Sequence, residues 1–416
     1  MIKAASIYLS SSIISKAIPF LMLPVLTRYL SPEEYGLIAI FQLLVTFTSP
    51  FIGMSLNSNI TRKFYKLSQD DIAAYIYNIY LILFLSFSIV SIVFAIAYSL
   101  YDQVLGVPNN WLLSVPILSL MNTINVINLT ILRNREKPIA YGSFEIVGAV
   151  ISVAATLLLI VGYNMGWEGR LWALVVTSGV LSAIAFWVTY YTGYLRIGFS
   201  ATSTREILSI SIPLIPHMLG GALLAISDRF FLDLLVDKTA VGLYSVGYMF
   251  GSIVMVFSDA FIKAWSPWFY KKVVDPKDAD KLTIVKFSYL YALALSVMAI
   301  LISLLSYYSM VLIVGEDYIG ARDFVVWVAA GYLFHGFYKI VLPYQVHVGQ
   351  TRFIALSTMI AASFNVVANY FLISMNGAIG AAQATFLAYI VWFIFVFWRS
   401  QHLYPMPWIA FFGRRR

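Results

Sequence analysis

The sequence predicts an all-α integral membrane protein with about twelve transmembrane helices, arranged as two parallel six-helix lobes. Of its 416 residues, 61% are hydrophobic and only 11% are charged, which is far more apolar than a soluble globular domain. The apolar residues fall into twelve runs, each close to the ~20 residues that a helix needs to cross the hydrocarbon core. The two halves of the chain also share a sequence pattern, which indicates an internal duplication.

The twelve apolar runs are separated by charged residues or by clusters of Gly and Pro. They cover residues 5–29, 37–58, 76–100, 112–132, 139–162, 170–192, 207–235, 241–265, 283–306, 323–346, 353–374 and 378–399. No loop between them is long enough to hold a soluble catalytic domain. We therefore expect the activity to reside within the membrane.

The internal similarity is clearest in the last span of each half. Residues 166–187 match residues 377–398 at a constant offset of 211 positions. The matched pairs are Gly166 and Gly377, Gly169 and Gly380, and Trp187 and Trp398. Six spans per half is an even number, so the halves would be parallel repeats, a plan in which transporters bind substrate between the lobes and rock around it. The predicted divisions are an N-terminal lobe at 1–200, a C-terminal lobe at 201–400 and a basic, aromatic cytoplasmic tail at 401–416.

Lysine and arginine are distributed unevenly between the two sets of loops. Of 27 such residues, 18 lie in the termini and the even-numbered loops, whereas the odd-numbered loops hold only Arg170, Lys238 and Arg322. Because cytoplasmic loops carry an excess of Lys and Arg, both termini are predicted to be cytoplasmic. The same distribution accounts for the net charge of +8 without a nucleic-acid partner.

One segment, residues 211–235, is apolar enough to be embedded in lipid yet carries several ionisable residues. These are His217, Asp228, Arg229 and Asp233. Ionisable side chains near the bilayer centre are energetically costly and normally face a bundle interior or a wet cavity. Arg229 and Asp233, at i and i+4, are predicted to pair on one helical face. Pro213 and Pro216 predict that this helix is bent and lines a cavity.

Of the six basic residues that lie within or at the ends of spans, five are candidates for binding an anionic substrate. They are Lys16, Arg28, Arg229, Lys263 and Lys339. Lys16 lies about eleven residues into the first span, or ~16 Å along a helix, which is near the midplane. Lys339 is similarly deep, and neither lysine has an acidic partner nearby in sequence, so both are expected to face a hydrated cavity. The other three could equally extend to the interface or pair locally.

Uncharged polar residues and carboxylates add further candidates. Asn122, Asn125 and Asn128 recur at three-residue spacing, and Asn365 and Asn369 are one turn apart. Such amides can hold helices together or contact a polar ligand. The candidates for ion coupling are Glu145, Asp228 and Asp259, of which Glu145 could instead pair with Lys16. The sequence contains no Walker A, HExxH or GxSxG motif, so no catalytic residue, metal or cofactor is expected.

At four stretches the chain resembles the Wzx-type polysaccharide flippases. These stretches are AIPFLMLPVLTRYLSPEEYGL at 17–37, SDRFFL at 227–232, VGLYSVGY at 241–248 and AWSPWFYKK at 264–272. The flippases form the polysaccharide-transport branch of the multidrug/oligosaccharidyl-lipid/polysaccharide (MOP) exporter superfamily. The resemblance covers nearly the whole chain and implies a MATE-like fold of twelve helices in two lobes, V-shaped around a central cavity.

The resemblance also implies a substrate and a location. The implied reaction moves an undecaprenyl-diphosphate-linked repeat unit of O-antigen or capsule from the cytoplasmic to the periplasmic leaflet of the bacterial inner membrane. Membrane lipids would surround the protein, and a polysaccharide polymerase and chain-length machinery are expected partners. A basic cavity suits this substrate, because Lys and Arg neutralise a diphosphate. Nothing in the residues indicates which glycan is carried.

Two other functions compete with a flippase. A drug or organic-cation antiporter of the same fold would more naturally need acidic groups at mid-depth, whereas the charges at mid-depth here are mainly basic. A membrane-embedded glycosyltransferase or polymerase would need a long periplasmic loop with catalytic residues. The longest candidate loop, 307–322, offers only Glu316 and Asp317 as carboxylates.

Overall fold

The computed structural model describes residue 18 and residues 20–273, 278–348 and 351–408. The chain divides into two compact units, Met1–Ala222 and Leu223–Arg416. In the first unit the helices are α1 (Phe20–Tyr29), α2 (Pro32–Gly53), α3 (Leu56–Lys63), α4 (Gln69–Leu100), α5 (Asn109–Leu112), α6 (Ser114–Asn134), α7 (Pro138–Thr156) and α8 (Gly166–Tyr191). Helix α9 (Ala201–Leu235) begins in the first unit and ends in the second.

The second unit continues with six further helices. They are α10 (Lys238–Gly251), α11 (Ile253–Val273), α12 (Asp278–Ile313), α13 (Arg322–His347), α14 (Thr351–Asn376) and α15 (Ile379–Leu403). Three short elements complete the description: a π-helical turn (Leu157–Gly162) after α7, a 3₁₀ turn (Glu316–Ala321) before α13, and a hairpin of β1 (Gln103–Val104) and β2 (Val107–Pro108).

The helices confirm an all-α, multi-pass membrane protein. Eleven helical segments of the described residues are long and apolar enough to cross a membrane. The remaining predicted span, 5–29, lies mostly outside the described residues, which include only its final helix α1. Lys16, predicted to lie at the midplane of that span, falls outside the described residues as well.

Three sequence boundaries are corrected by the structure. The second span is broken where Met54 and Ser55 adopt left-handed φ angles of 40° and 54°, which a right-handed helix cannot accommodate. The eighth span is interrupted at Ser252, between α10 and α11. Arg170, counted with a loop although it is the first residue of the predicted span 170–192, lies in the second turn of α8. Hydropathy misses the two breaks because the residues on both sides of each are apolar.

Capping residues explain where two of the long helices begin. Ser31 and Glu34 form a reciprocal capping box at the start of α2, and Pro32 occupies its first turn. At the start of α4, Ser68 accepts a hydrogen bond from the backbone of Asp71. These side chains satisfy amide groups that the helix itself leaves without partners.

A buried polar residue fixes the connection that follows α8. Asn78 of α4 donates to the carbonyl of Gly198 at 2.8 Å and accepts from the amide of Ser200 at 3.0 Å. Beside it lies the apolar core of the first unit, which includes Ile72, Ile76, Ile79, Ile127 and Ile131. The start of α9 is thereby fixed against α4.

The matched glycines of the two halves have the same conformational role. Gly166, the first residue of α8, and Gly377, in the turn before α15, have positive φ angles of 56° and 62°. A Cβ atom on Gly169 would press on the backbone of the π-helical turn, and one on Gly380 would collide with the backbone of Leu372 in α14. The similarity at offset 211 therefore corresponds to two close helix–helix approaches that require glycine.

Replacing Gly380 by Ala should destabilise the protein. The new methyl group would strike the carbonyl of Leu372, which is backbone and cannot move aside, and overpacking of this kind costs about 1–3 kcal/mol. We expect a lower thermal unfolding midpoint in detergent. Gly179→Ala is the control, because the new methyl would make only ordinary contact with Met121. Equal midpoints for both variants would contradict the close approach.

Candidate functional site

The asparagines of α6 occupy two environments. Asn122 accepts a hydrogen bond from Ser178 of α8 at 3.0 Å, so it joins these helices. Asn125 and Asn128 are buried, and the Asn125 carbonyl oxygen and the Asn128 amide nitrogen have no hydrogen-bond partner among the described residues. Leaving a buried polar group without a partner costs about 1–3 kcal/mol. Water or a polar ligand would remove that cost, which keeps Asn125 a candidate contact.

Two charged candidates of the first unit differ in exposure. Glu145 of α7 is half-buried, and its Oε2 has no hydrogen-bond partner among the residues that the structure describes. Its predicted partner, Lys16, lies outside those residues. Arg28 of α1 is exposed, and its Nη1 donates to the carbonyl of Pro24 at 3.3 Å.

Arg170 is a half-buried cation of the first unit that the sequence assigned to a loop. Its Nη1 lies 2.7 Å from Thr156 Oγ1 and 3.5 Å from Ser152 Oγ, so both contacts are to neutral hydroxyl groups of α7. The apolar residues that follow it in GRLWALVV could have signalled that it begins a helix. Only the packing of α7 on α8 reveals its partners.

In the second unit, Asp228 and Arg229 form a buried ion pair. Arg229 Nη1 lies 3.6 Å from Asp228 Oδ1, with side chains only 16% and 1% exposed. Tyr244 donates its hydroxyl hydrogen bond to Asp228 Oδ2. The predicted pairing of Arg229 with Asp233 is wrong, because Asp233 instead lies 3.5 Å from Lys238. The chain leaves α9 and enters α10 there, which brings Lys238 beside Asp233.

Aromatic rings enclose the guanidinium of Arg229. Its Cζ lies 4.6 Å from the ring centre of Tyr248 and 5.4 Å from that of Tyr244. The hydroxyl groups of Tyr248 and Tyr332 are hydrogen-bonded at 2.5 Å. Cation–π contacts are strongest where water is excluded. The guanidinium of Arg229 is therefore in contact with both a carboxylate and aromatic rings.

Lys339 of α13 forms an ion pair and a hydrogen bond with Asp259 of α11. Lys339 has no acidic partner nearby in sequence, and the structure supplies one from Asp259, which is 80 positions away. The two side chains are 19% and 27% exposed. Lys263, one turn after Asp259, is exposed.

An aromatic stack adjoins this ion pair and was not predicted. The ring of His335, one turn before Lys339, stacks on Tyr389 at 4.9 Å and on Trp392 at 5.7 Å. Trp392 in turn stacks on Tyr338 at 4.1 Å. In the sequence His335 is an isolated histidine, and its neighbours come from two helices, α13 and α15.

The amides of α14 connect α14 to α9. Ser227 donates to Asn365 Oδ1 at 2.5 Å, and the Asn369 amide donates to Asn365 Oδ1 at 3.2 Å and to Ser227 Oγ at 3.3 Å. All three residues are buried. Of the two roles left open by the sequence, this network matches interhelical hydrogen bonding.

Two of the three candidate cations of the second unit lie in ion pairs. Arg229 is matched by Asp228, and Lys339 is matched by Asp259. An anion that approached either cation would compete with a carboxylate for the same hydrogen-bond donors, and a phosphate group has the geometry to do so. Such a site can exchange one anionic partner for another without leaving a cation unpaired.

Comparison with known proteins identifies a family and a relative that this chain resembles. Residues 1–272 match the model of a family described as polysaccharide biosynthesis protein. An uncharacterized membrane protein of Haemophilus influenzae is 24% identical over 379 residues, which cover 86% of this chain and 88% of that protein.

Solved structures share the fold. A multidrug resistance MATE family transporter of the MOP superfamily, in an inward-facing conformation, superposes with a TM-score of 0.72 at 13% identity, covering 93% of this chain and 95% of the other. The lipid II flippase MurJ, in an inward closed conformation, gives a TM-score of 0.66 at 14% identity, covering 95% and 87%. The predicted MATE-like fold is confirmed.

Proposed function

The chain belongs to the family of polysaccharide biosynthesis proteins, and from this premise we propose that it flips undecaprenyl-diphosphate-linked oligosaccharide repeat units across the bacterial inner membrane. The direction is from the cytoplasmic to the periplasmic leaflet, by alternating access. The protein is a multi-pass membrane protein with the fold of MATE and MurJ transporters. The substrate, its direction and the inner-membrane location are the parts that we propose.

The observation that carries the proposal is a transporter fold within a polysaccharide biosynthesis family. A lipid-linked sugar chain must take its hydroxyl groups and diphosphate through hydrocarbon to change leaflets. Burying such groups without partners is prohibitively costly, so the step requires a protein that supplies polar and basic contacts. The asparagines of α6 can supply polar contacts of this kind, and the cations of the second unit can supply basic ones.

We assign these contacts separate roles. The candidate contacts for the diphosphate are the cations Lys16 and Arg28 in the first unit and Arg229, Lys263 and Lys339 in the second. The candidate contacts for sugar hydroxyls are Asn122 and Asn125. In the second unit, the diphosphate would displace Asp259 from Lys339 and Asp228 from Arg229. The displaced carboxylates, with Glu145, are candidates to take up a proton or a cation during transport.

Deletion of the gene for this protein tests the proposal. The deletion strain should accumulate lipid-linked repeat units in the cytoplasmic leaflet, measured by labelling with a reagent that does not cross the membrane. Re-expression of the wild-type chain should restore export. Normal export in the deletion strain would contradict the proposal. Normal export together with increased sensitivity to organic cations would favour a drug antiporter of the same fold.

Orientation provides an independent prediction. Both termini are proposed to be cytoplasmic because of the excess of Lys and Arg in the even-numbered loops. Reporter fusions after residues 70, 135, 200, 275 and 405 should report cytoplasm, and fusions near 33, 105, 167, 238 and 318 should report periplasm. A periplasmic signal at 275 would contradict the twelve-span topology.

A further inference from the structure

A groove opens on the first unit between α4, α6 and α8. It encloses about 520 Å³ and is lined mainly by apolar and aromatic side chains, among them Phe84, Ile124, Phe186, Trp187 and Tyr190. Trp187 and Tyr190 are 60% and 66% exposed. Because α4 and α8 are long and apolar enough to span the membrane, we expect a groove on these exposed rings to face lipid. Its volume lies within the range of about 300–1,000 Å³ that is typical of ligand sites.

A cation is held close to one end of this groove. Tyr194 follows the groove residue Tyr190 by four positions, and its amide bonds to the carbonyl of Thr189 at 3.0 Å. The ring of Tyr194 stacks on Phe64 at 5.6 Å, with 8° between the ring planes. The guanidinium of Arg135 lies on Tyr194, with the Arg135 Cζ 4.8 Å from the centre of the Tyr194 ring.

Arg135 is a half-buried cation whose recorded contact is an aromatic ring, whereas two other cations of the first unit lie in ion pairs. Lys63 pairs with Glu206 at 2.8 Å, and Arg196 pairs with Asp70 at 3.1 Å. Within the described part of the chain, the recorded contact of the Arg135 guanidinium is the ring of Tyr194, with no ion pair. A guanidinium that lies against a ring keeps the donors on its edge available, and these donors match phosphate oxygens in pairs.

We propose that this groove and Arg135 form a docking site for the lipid carrier before transport. The isoprenoid chain would lie in the groove against the rings of Phe186 and Trp187, and the diphosphate would bind Arg135. The inference rests on the proposed function, because the occupant of the groove is the lipid carrier of the proposed substrate. Location and charge both support this occupant. Arg135 is predicted to lie on the cytoplasmic side, where the carrier would be loaded. A diphosphate also carries more negative charge than a phosphodiester lipid.

Photocrosslinking tests the site on the full-length protein. The chain has no cysteine, so Ala183→Cys, which lies in the groove lining, gives a single attachment point for a benzophenone. We expect crosslinking to undecaprenyl diphosphate in nanodiscs. Arg135→Gln should reduce the yield about ten-fold at low lipid concentration, as expected for losing a charged hydrogen bond of ~1.5–3 kcal/mol. Trp187→Ala should also reduce it.

Two controls make the result specific. Arg196→Gln removes a neighbouring cation that is already paired with Asp70, and should leave the crosslinking yield unchanged. An excess of phosphatidylglycerol should not compete. Competition by that lipid, or full crosslinking by a well-folded Arg135→Gln protein, would overturn the docking site. The gene-deletion experiment is independent, so failure of the docking site alone would leave the proposed flippase function standing.

Discussion

Replacing Asp228 by Ala should greatly reduce the amount of folded protein. The substitution leaves the guanidinium of Arg229, whose side chain is only 16% exposed, without its carboxylate partner. Removing one half of a buried ion pair typically costs about 3–5 kcal/mol, because the remaining charge is uncompensated. Tyr244 would also lose its acceptor. We expect a lower thermal midpoint and little monodisperse protein after detergent extraction.

The double variant tests this explanation. Asp228→Leu combined with Arg229→Met removes both charges, and should recover much of the folded protein while export stays low if Arg229 binds the substrate. Asp70→Ala is the matched control, because Asp70 is 78% exposed and pairs with the exposed Arg196. An exposed pair contributes about 0–1 kcal/mol. An Asp228→Ala protein as stable as the control would show that the pair is not needed for folding.

Lys339→Ala should have the second-largest effect, and this effect should be on export. The proposed role of Lys339 is to exchange Asp259 for the substrate diphosphate. Loss of a hydrogen bond to a charged group, about 1.5–3 kcal/mol, would lower export roughly ten-fold or more. Lys286→Ala, at an exposed lysine of α12, is the control and should export normally.

Removing Asp259 as well separates structure from transport. In Lys339→Ala with Asp259→Ala no buried charge is left alone, so protein abundance should approach that of the wild type. If Lys339 binds substrate, export remains low in the double variant. Recovery of both abundance and export would instead identify the pair as purely structural, and would remove Lys339 from the proposed site.

The arrangement of spans could be read from the sequence because it depends on local properties. Hydrocarbon thickness sets the length of each apolar run, so the all-α membrane fold and most helix positions follow from hydropathy. Gly166 and Gly377 were matched in sequence and prove to share a left-handed conformation. The break at Ser252 could not be predicted, because α10 and α11 are both apolar and the interruption is a single residue.

The sequence alone therefore determined that this chain crosses the membrane many times and carries charged residues within its spans. Only the tertiary structure decided which of these charges meet. Asp259 and Lys339 are 80 positions apart and pair because α11 packs against α13. Arg229 pairs with Asp228, and Asp233 pairs with Lys238 at the start of α10. Hydropathy reports the environment of each residue, whereas ion pairing depends on how helices pack, and that packing is set by side chains distant in sequence.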